Sequence, residues 1–138
     1  VPSGYRQRRT QFLSNRQVLQ PHPGHPITVE PAKGRVVVTV AGKKVADSRN
    51  ALALREAQYP VTHYIPLADV DQSLIAKTEH TTWCPYKGEA SYHSISHGGA
   101  RSENAIWTYE APHDAVAAIK GHVAFYPDRV DSIEVSDD

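Results

Sequence analysis

The chain predicts an α+β fold that is mainly β: a small bent sheet or barrel of about eight short strands with a pair of short helices. Three observations predict it. Short runs rich in valine, threonine, tyrosine and tryptophan recur between residues 36 and 135, most of them bounded by glycine or proline. Only two stretches read as helices of any length. At 138 residues the chain is one domain, large enough to bury its own core.

The elements follow in order. Residues 20–34 carry four prolines and two glycines and read as a linker or wrapping segment. They divide a basic arm and Pro-rich linker, residues 1–30, from a single β-rich domain, residues 31–138. Val36–Val40 is a continuous β-branched run, expected for a strand buried on both faces or set in a barrel wall. Gly42-Lys43 fits a two-residue hairpin turn with glycine first, and Lys44–Asp47 returns as the partner strand. Ser48 is placed to cap a helix over Arg49–Ala57, which must stop before Tyr59-Pro60. Val61–Ile65 is a strand closed by Pro66. Asp69 and Gln72 have capping-box spacing, giving a helical turn to about Leu74. Lys77–Trp83, Ala90–Ile95 and Asn104–Tyr109 are strands, with Ser96–Ser102 a flexible loop between the last two. Pro112 opens a second helix with Val116 and Ile119 as its apolar stripe and Gly121 as its stop. Val123–Tyr126 and Val130–Val135 form a closing strand pair.

Composition narrows the function classes. No apolar run approaches the length that crosses a bilayer, and no signal-peptide core precedes the first strand. The single cysteine cannot form an internal disulfide or a four-cysteine zinc site, which fits a reducing cytoplasm. The chain has no methionine, so Val1 is read as lying downstream of a translational start. Net charge is zero but unevenly divided. Residues 1–29 hold Arg6, Arg8, Arg9 and Arg16 and no acid, leaving the remainder near −4. Four arginines without aromatic platforms disfavour nucleic acid as a partner; an arm packed on the acidic body of the same or a neighbouring subunit is expected instead. A homo-oligomer is left open.

Chemistry concentrates at His80-Thr81-Thr82-Trp83-Cys84-Pro85-Tyr86-Lys87-Gly88. A thiolate nucleophile needs a cation or histidine nearby, and His80 and Lys87 are near in sequence. The structural alternative is a buried residue ending a strand. Glu103 joins Cys84 and His80 as a catalytic candidate, being a carboxylate able to act as a base in a dry pocket. His80, Cys84 and His93, with His122 or Glu103, lack the tight paired spacing of zinc motifs, so no metal and no cofactor is expected. Asp69-Val70-Asp71 has the acid–apolar–acid form that holds magnesium in polymerase-like transferases. No glycine-rich turn precedes it, and it reads better as a helix cap.

The stretch from His80 to Tyr92 resembles the central signature of domain-of-unknown-function family 427. Glu103–Tyr109 resembles its second block and Ile119–Tyr126 its third, while Val45–Ser48 with Tyr64–Pro66 is similar to its opening hairpin and second strand. The resemblance runs from about Arg35 to Val135. It implies a compact β-rich fold and no particular activity. The family is also labelled nucleotidyltransferase-like, a label for which the chain shows no matching motif. The resemblance places Thr82, Lys87, Tyr92, Asn104, Trp107 and His122 beside Cys84 and His80 as residues expected to line one cavity. A small-molecule binder or enzyme using that cavity is the leading expectation. The alternatives are a non-catalytic interaction module and nucleic-acid binding through the arm.

Overall fold

A computed structural model describes residues 16–137, and they form ten strands in two antiparallel sheets. The strands are β1 (Ile27–Pro31), β2 (Arg35–Val40), β3 (Lys43–Ser48), β4 (Leu52–Glu56), β5 (Thr62–Pro66), β6 (Ile75–Cys84), β7 (Gly88–His97), β8 (Ala100–Thr108), β9 (His122–Phe125) and β10 (Ser132–Ser136). The larger sheet runs β1-β4-β5-β9-β8-β7-β6 and the smaller β10-β2-β3. The expected β-rich architecture is present, as two bent sheets and not as a closed barrel.

Alternation along the strands sets two cores. Val36, Val38 and Val40 point inward from β2, while Val37 and Thr39 are only half-buried, so this strand is covered fully on one face alone. The inward valines meet Ile65, Ile106, Val123 and Phe125 of the larger sheet. The adjacent residues Tyr64, Trp107 and Ala124 belong to a second cluster with Leu54, Tyr92, Tyr109, Val116 and Ile119. The larger sheet is therefore packed on both faces.

Two bulges bend it. The β6–β7 register shifts between Lys77 and Thr81, so Thr78–His80 oppose Tyr92 alone; the β7–β8 register shifts so that Glu103–Ala105 oppose Ser94. Thr78 Oγ1 donates to Asn104 Oδ1 at 2.7 Å and joins the two bulges. Asn104 sits at φ +50°, a conformation that asparagine tolerates better than most residues. The sheet is thin on both sides of β9, which pairs with β8 only at Ile106↔Phe125 and Trp107↔Ala124. β5 and β9 pair only at Ile65↔Val123 and Pro66↔His122, and the ladder stops where Thr62–Tyr64 would continue it.

Several expectations are corrected. Residues 49–57 form strand β4, not a helix. Their leucines and alanines favour helix, but backbone pairing with β1 on one side and β5 on the other overrides that weak propensity. The segment read as a linker contains β1, whose Pro31 is tolerated because the strand is at the sheet edge. The stretch from Pro112 is a 3-10 turn over Asp114–Ile119, although it buries the expected Val116 and Ile119. Among the described residues every helical turn is of this tight kind. The first hairpin turn is Ala41-Gly42, both at positive φ, one residue earlier than expected. Ser96–Ser102 is a hairpin closed by Gly98-Gly99, not a loop, since β7 and β8 pair through His97↔Ala100. The last two strands do not pair with each other: β9 joins the larger sheet and β10 the smaller.

Arg6, Arg8 and Arg9 lie outside the described residues. Arg16 packs on the body of its own chain, 2.8 Å from the Glu89 carboxylate and 4.8 Å from the centre of the Trp83 ring. No helix among the described residues is long and apolar enough to cross a membrane.

Candidate ligand cleft

A cleft of about 940 Å³ lies along the β5–β9 seam. Thr62, His63 and Ile65 line it from β5, with Trp107, Phe125 and Pro127 from the opposite side. Val36, Val38, Ile133 and Val135 of the smaller sheet supply apolar wall, and His25, Glu56, Cys84 and Tyr86 supply a more polar end. Its size falls in the range of small-molecule pockets, and its mixture of apolar wall and few polar groups is what such pockets use.

The polar end is built around a buried charge pair. Lys87 lies in the turn between β6 and β7 and is 1% exposed. Its ammonium donates to Glu56 Oε1 at the end of β4. The pairing of Ile27 with Glu56 brings the segment just before β1 alongside, so that His25 Nε2 lies 2.8 Å from Glu56 Oε2. His25 stacks flat on Tyr86, with ring centres 4.0 Å apart. Burial opposes ionisation of Glu56, yet Lys87 and then His25 hold its carboxyl below the usual range. The carboxylate is thus charged and satisfied on both oxygens. This pair also spans the bent sheet: β4 lies next to one edge and the β6–β7 turn at the other. His63 is held neutral more firmly than a free imidazole, by burial first and by the charge of Arg55 second.

The structure brings some predicted site residues together and separates others. Cys84 is 5% exposed and lines the cleft, as does Trp107, whose Nε1 donates to Tyr64 Oη at 3.1 Å. Lys87 stands behind Glu56. Thr82 and Tyr92 share a 2.8 Å hydroxyl hydrogen bond inside the second core. His80 is exposed and packs its ring on Tyr92, 4.5 Å between centres. Glu103 is exposed at a bulge, and Asn104 is spent on Thr78, Ser94 and Arg129. His122 Nδ1 donates to Lys120 O at 2.9 Å. Of the residues expected to share one hollow, Cys84 and Trp107 line the cleft, and His80, Thr82, Lys87, Tyr92, Glu103, Asn104 and His122 do not. The Asp69-Val70-Asp71 carboxylates are also engaged, Asp69 by Ser48 at 2.6 Å and Asp71 by Ser73. Among the described residues no group of three or more His, Cys, Asp or Glu is placed to hold a metal ion.

His25, Glu56 and His63 were missed by sequence reasoning. His25 sat in the proline-rich segment and Glu56 in the expected helix, so neither had a visible partner. The turn-forming Pro23-Gly24 after His22 was the available signal, since it folds His22 and His25 into a backbone bridge.

Fold and cleft together define a two-sheet β domain whose larger sheet is split by a pocket and tied across by a buried ion pair. The chain belongs to the family described as a domain of unknown function, DUF427, whose model matches residues 28–136. No match is found among curated proteins.

Proposed function

We propose that this domain binds a small molecule in the cleft beside Cys84. One observation carries the reading: apolar walls of both sheets converge on an end where Lys87, Glu56 and His25 already satisfy one another. A buried charge cluster of this kind is costly unless the surroundings hold it in place. Here it positions a histidine at the cavity wall. Cys84 and Trp107 are the two sequence candidates that contribute directly to the lining.

The test uses the uncharged fluorescent probe N-phenyl-1-naphthylamine with the folded protein. Saturable binding is expected at native pH without any change in unfolding behaviour. Thr62 is half-buried at the cleft, and a Thr62→Trp variant that fills the space should bind the probe at least about tenfold more weakly with its thermal midpoint kept. Probe affinity unaffected by that substitution, or fluorescence that rises only as the protein unfolds, would overturn the proposal.

A further inference from the structure

The bonding of His25 restricts which ligands the cleft accepts, an inference that rests on the proposed binding function. A carboxylate only accepts hydrogen bonds, so with Glu56 ionised the facing Nε2 of His25 must carry the proton. In neutral imidazole the other nitrogen, Nδ1, is then a bare acceptor. It engages no other group among the described residues. His25 is held in this orientation by its stack on Tyr86 and by the Lys87–Glu56 pair behind it.

Charge on the remaining walls points the same way. Glu56 is neutralised by Lys87 and both its oxygens are occupied, which leaves no free anion at this end for a cationic ligand. Lys87 is sealed behind Glu56, which leaves no lysine or arginine on the lining for an anionic one. Asp131, away from this end, accepts from the backbone N–H of Ala41 through one oxygen at 2.7 Å and stays exposed to water. At the His25 end a ligand bearing a full charge would lose hydration with nothing to replace it. Tyr59, Tyr86, Trp107 and Phe125 offer ring faces and edges to a flat molecule.

We infer that the cleft takes an uncharged, planar aromatic ligand carrying one O–H or N–H group, which donates to Nδ1 of His25. The site thus selects by hydrogen-bond polarity: a matched molecule with an acceptor in place of the donor faces a lone pair with a lone pair.

Three probes of one shape test this by calorimetric or fluorescence titration at pH 8: 2-naphthol, its methyl ether and 2-naphthoate. Naphthol should bind about tenfold or more tightly than the ether, and naphthoate most weakly. His25→Phe keeps a ring against Tyr86 and removes both nitrogens; it should erase the naphthol–ether difference while the ether still binds. If that variant fails to fold, nitrogen-15 spectra of the wild-type imidazole serve instead and should show the proton on Nε2. Equal binding of naphthol and ether, a preference that survives in His25→Phe, tightest binding of naphthoate, or a proton on Nδ1 would each overturn the inference and leave the cleft reading standing. Failure of all three probes together with N-phenyl-1-naphthylamine would remove both.

Discussion

Replacing Lys87 with methionine keeps the stem and removes the ammonium. Lys87 is 1% exposed and the Glu56 side chain 10%, so the pair is truly desolvated. Removing one partner from such a pair costs about 3–5 kcal/mol, because the other charge is left buried alone. Glu56 keeps its hydrogen bond from His25, which offsets part of the loss, so the lower end, about 3 kcal/mol, is expected. An unfolding entropy of about 2.1 cal/mol/K per residue, over roughly 120 ordered residues, makes each kcal/mol worth about 4 °C. The midpoint should then fall by about 12 °C. The pH dependence has a definite sign. A carboxyl held below its ordinary value contributes stability above the unfolded value of about 4.3, and that stability is lost as pH falls through the lower folded value. In the variant the buried carboxyl is raised instead, so its penalty is present at neutral pH and fades as acid neutralises it. The gap between wild type and Lys87→Met should therefore be full at pH 7 and narrow below about pH 4. Urea unfolding followed by tryptophan fluorescence at both values measures it. A gap under about 1 kcal/mol at pH 7, or one that does not shrink in acid, would refute the argument.

The buried tyrosines give a matched contrast. Tyr64→Phe leaves the indole N–H of Trp107 without its acceptor and should cost about 1–3 kcal/mol, whereas the Tyr109 hydroxyl is buried with no partner among the described residues, so Tyr109→Phe should leave the thermal midpoint unchanged or raise it. Cys84 should react with dithiobis(nitrobenzoate) slowly in the native protein and rapidly in urea, and N-phenyl-1-naphthylamine bound in the cleft should slow the native reaction further; a rate that the probe does not change would place the sulfur outside the bound site.

Much of the sheet content was legible because it depends on local patterning. Val36–Val40 is β-branched throughout and forms β2, and the threonine-rich stretch before Cys84 lies within β6. The misreadings fall where partners distant in sequence decide. Leu52-Ala53-Leu54-Arg55-Glu56 is good helix material until two neighbouring strands claim its backbone. Proline around Ile27–Pro31 hid an edge strand, the one location where proline does little harm. The site divided in the same way. Cys84 and Trp107 were visible as unusual residues in a dense motif, and both reach the cleft. Lys87 was visible too, but its role depends on Glu56, 31 positions earlier, and on His25, another 31 before that. Such contacts leave no trace in spacing. Conversely, Asn104 drew notice as a polar residue among strands, and the fold uses it to shape a bulge.

The seam has a mechanical consequence. Hydrogen bonds run from β4 through β5, β9, β8 and β7, and the ammonium–carboxylate contact returns the circuit to β4. The loop so formed has unlike joints: a ladder only two pairs long on each side of β9, and one electrostatic latch. Short ladders favour breathing motions on either side of β9, and one of the two, beside β5, borders the cleft. A guest wedged there would brace the whole ring, so occupancy would be felt as stiffness on both sides of the opening.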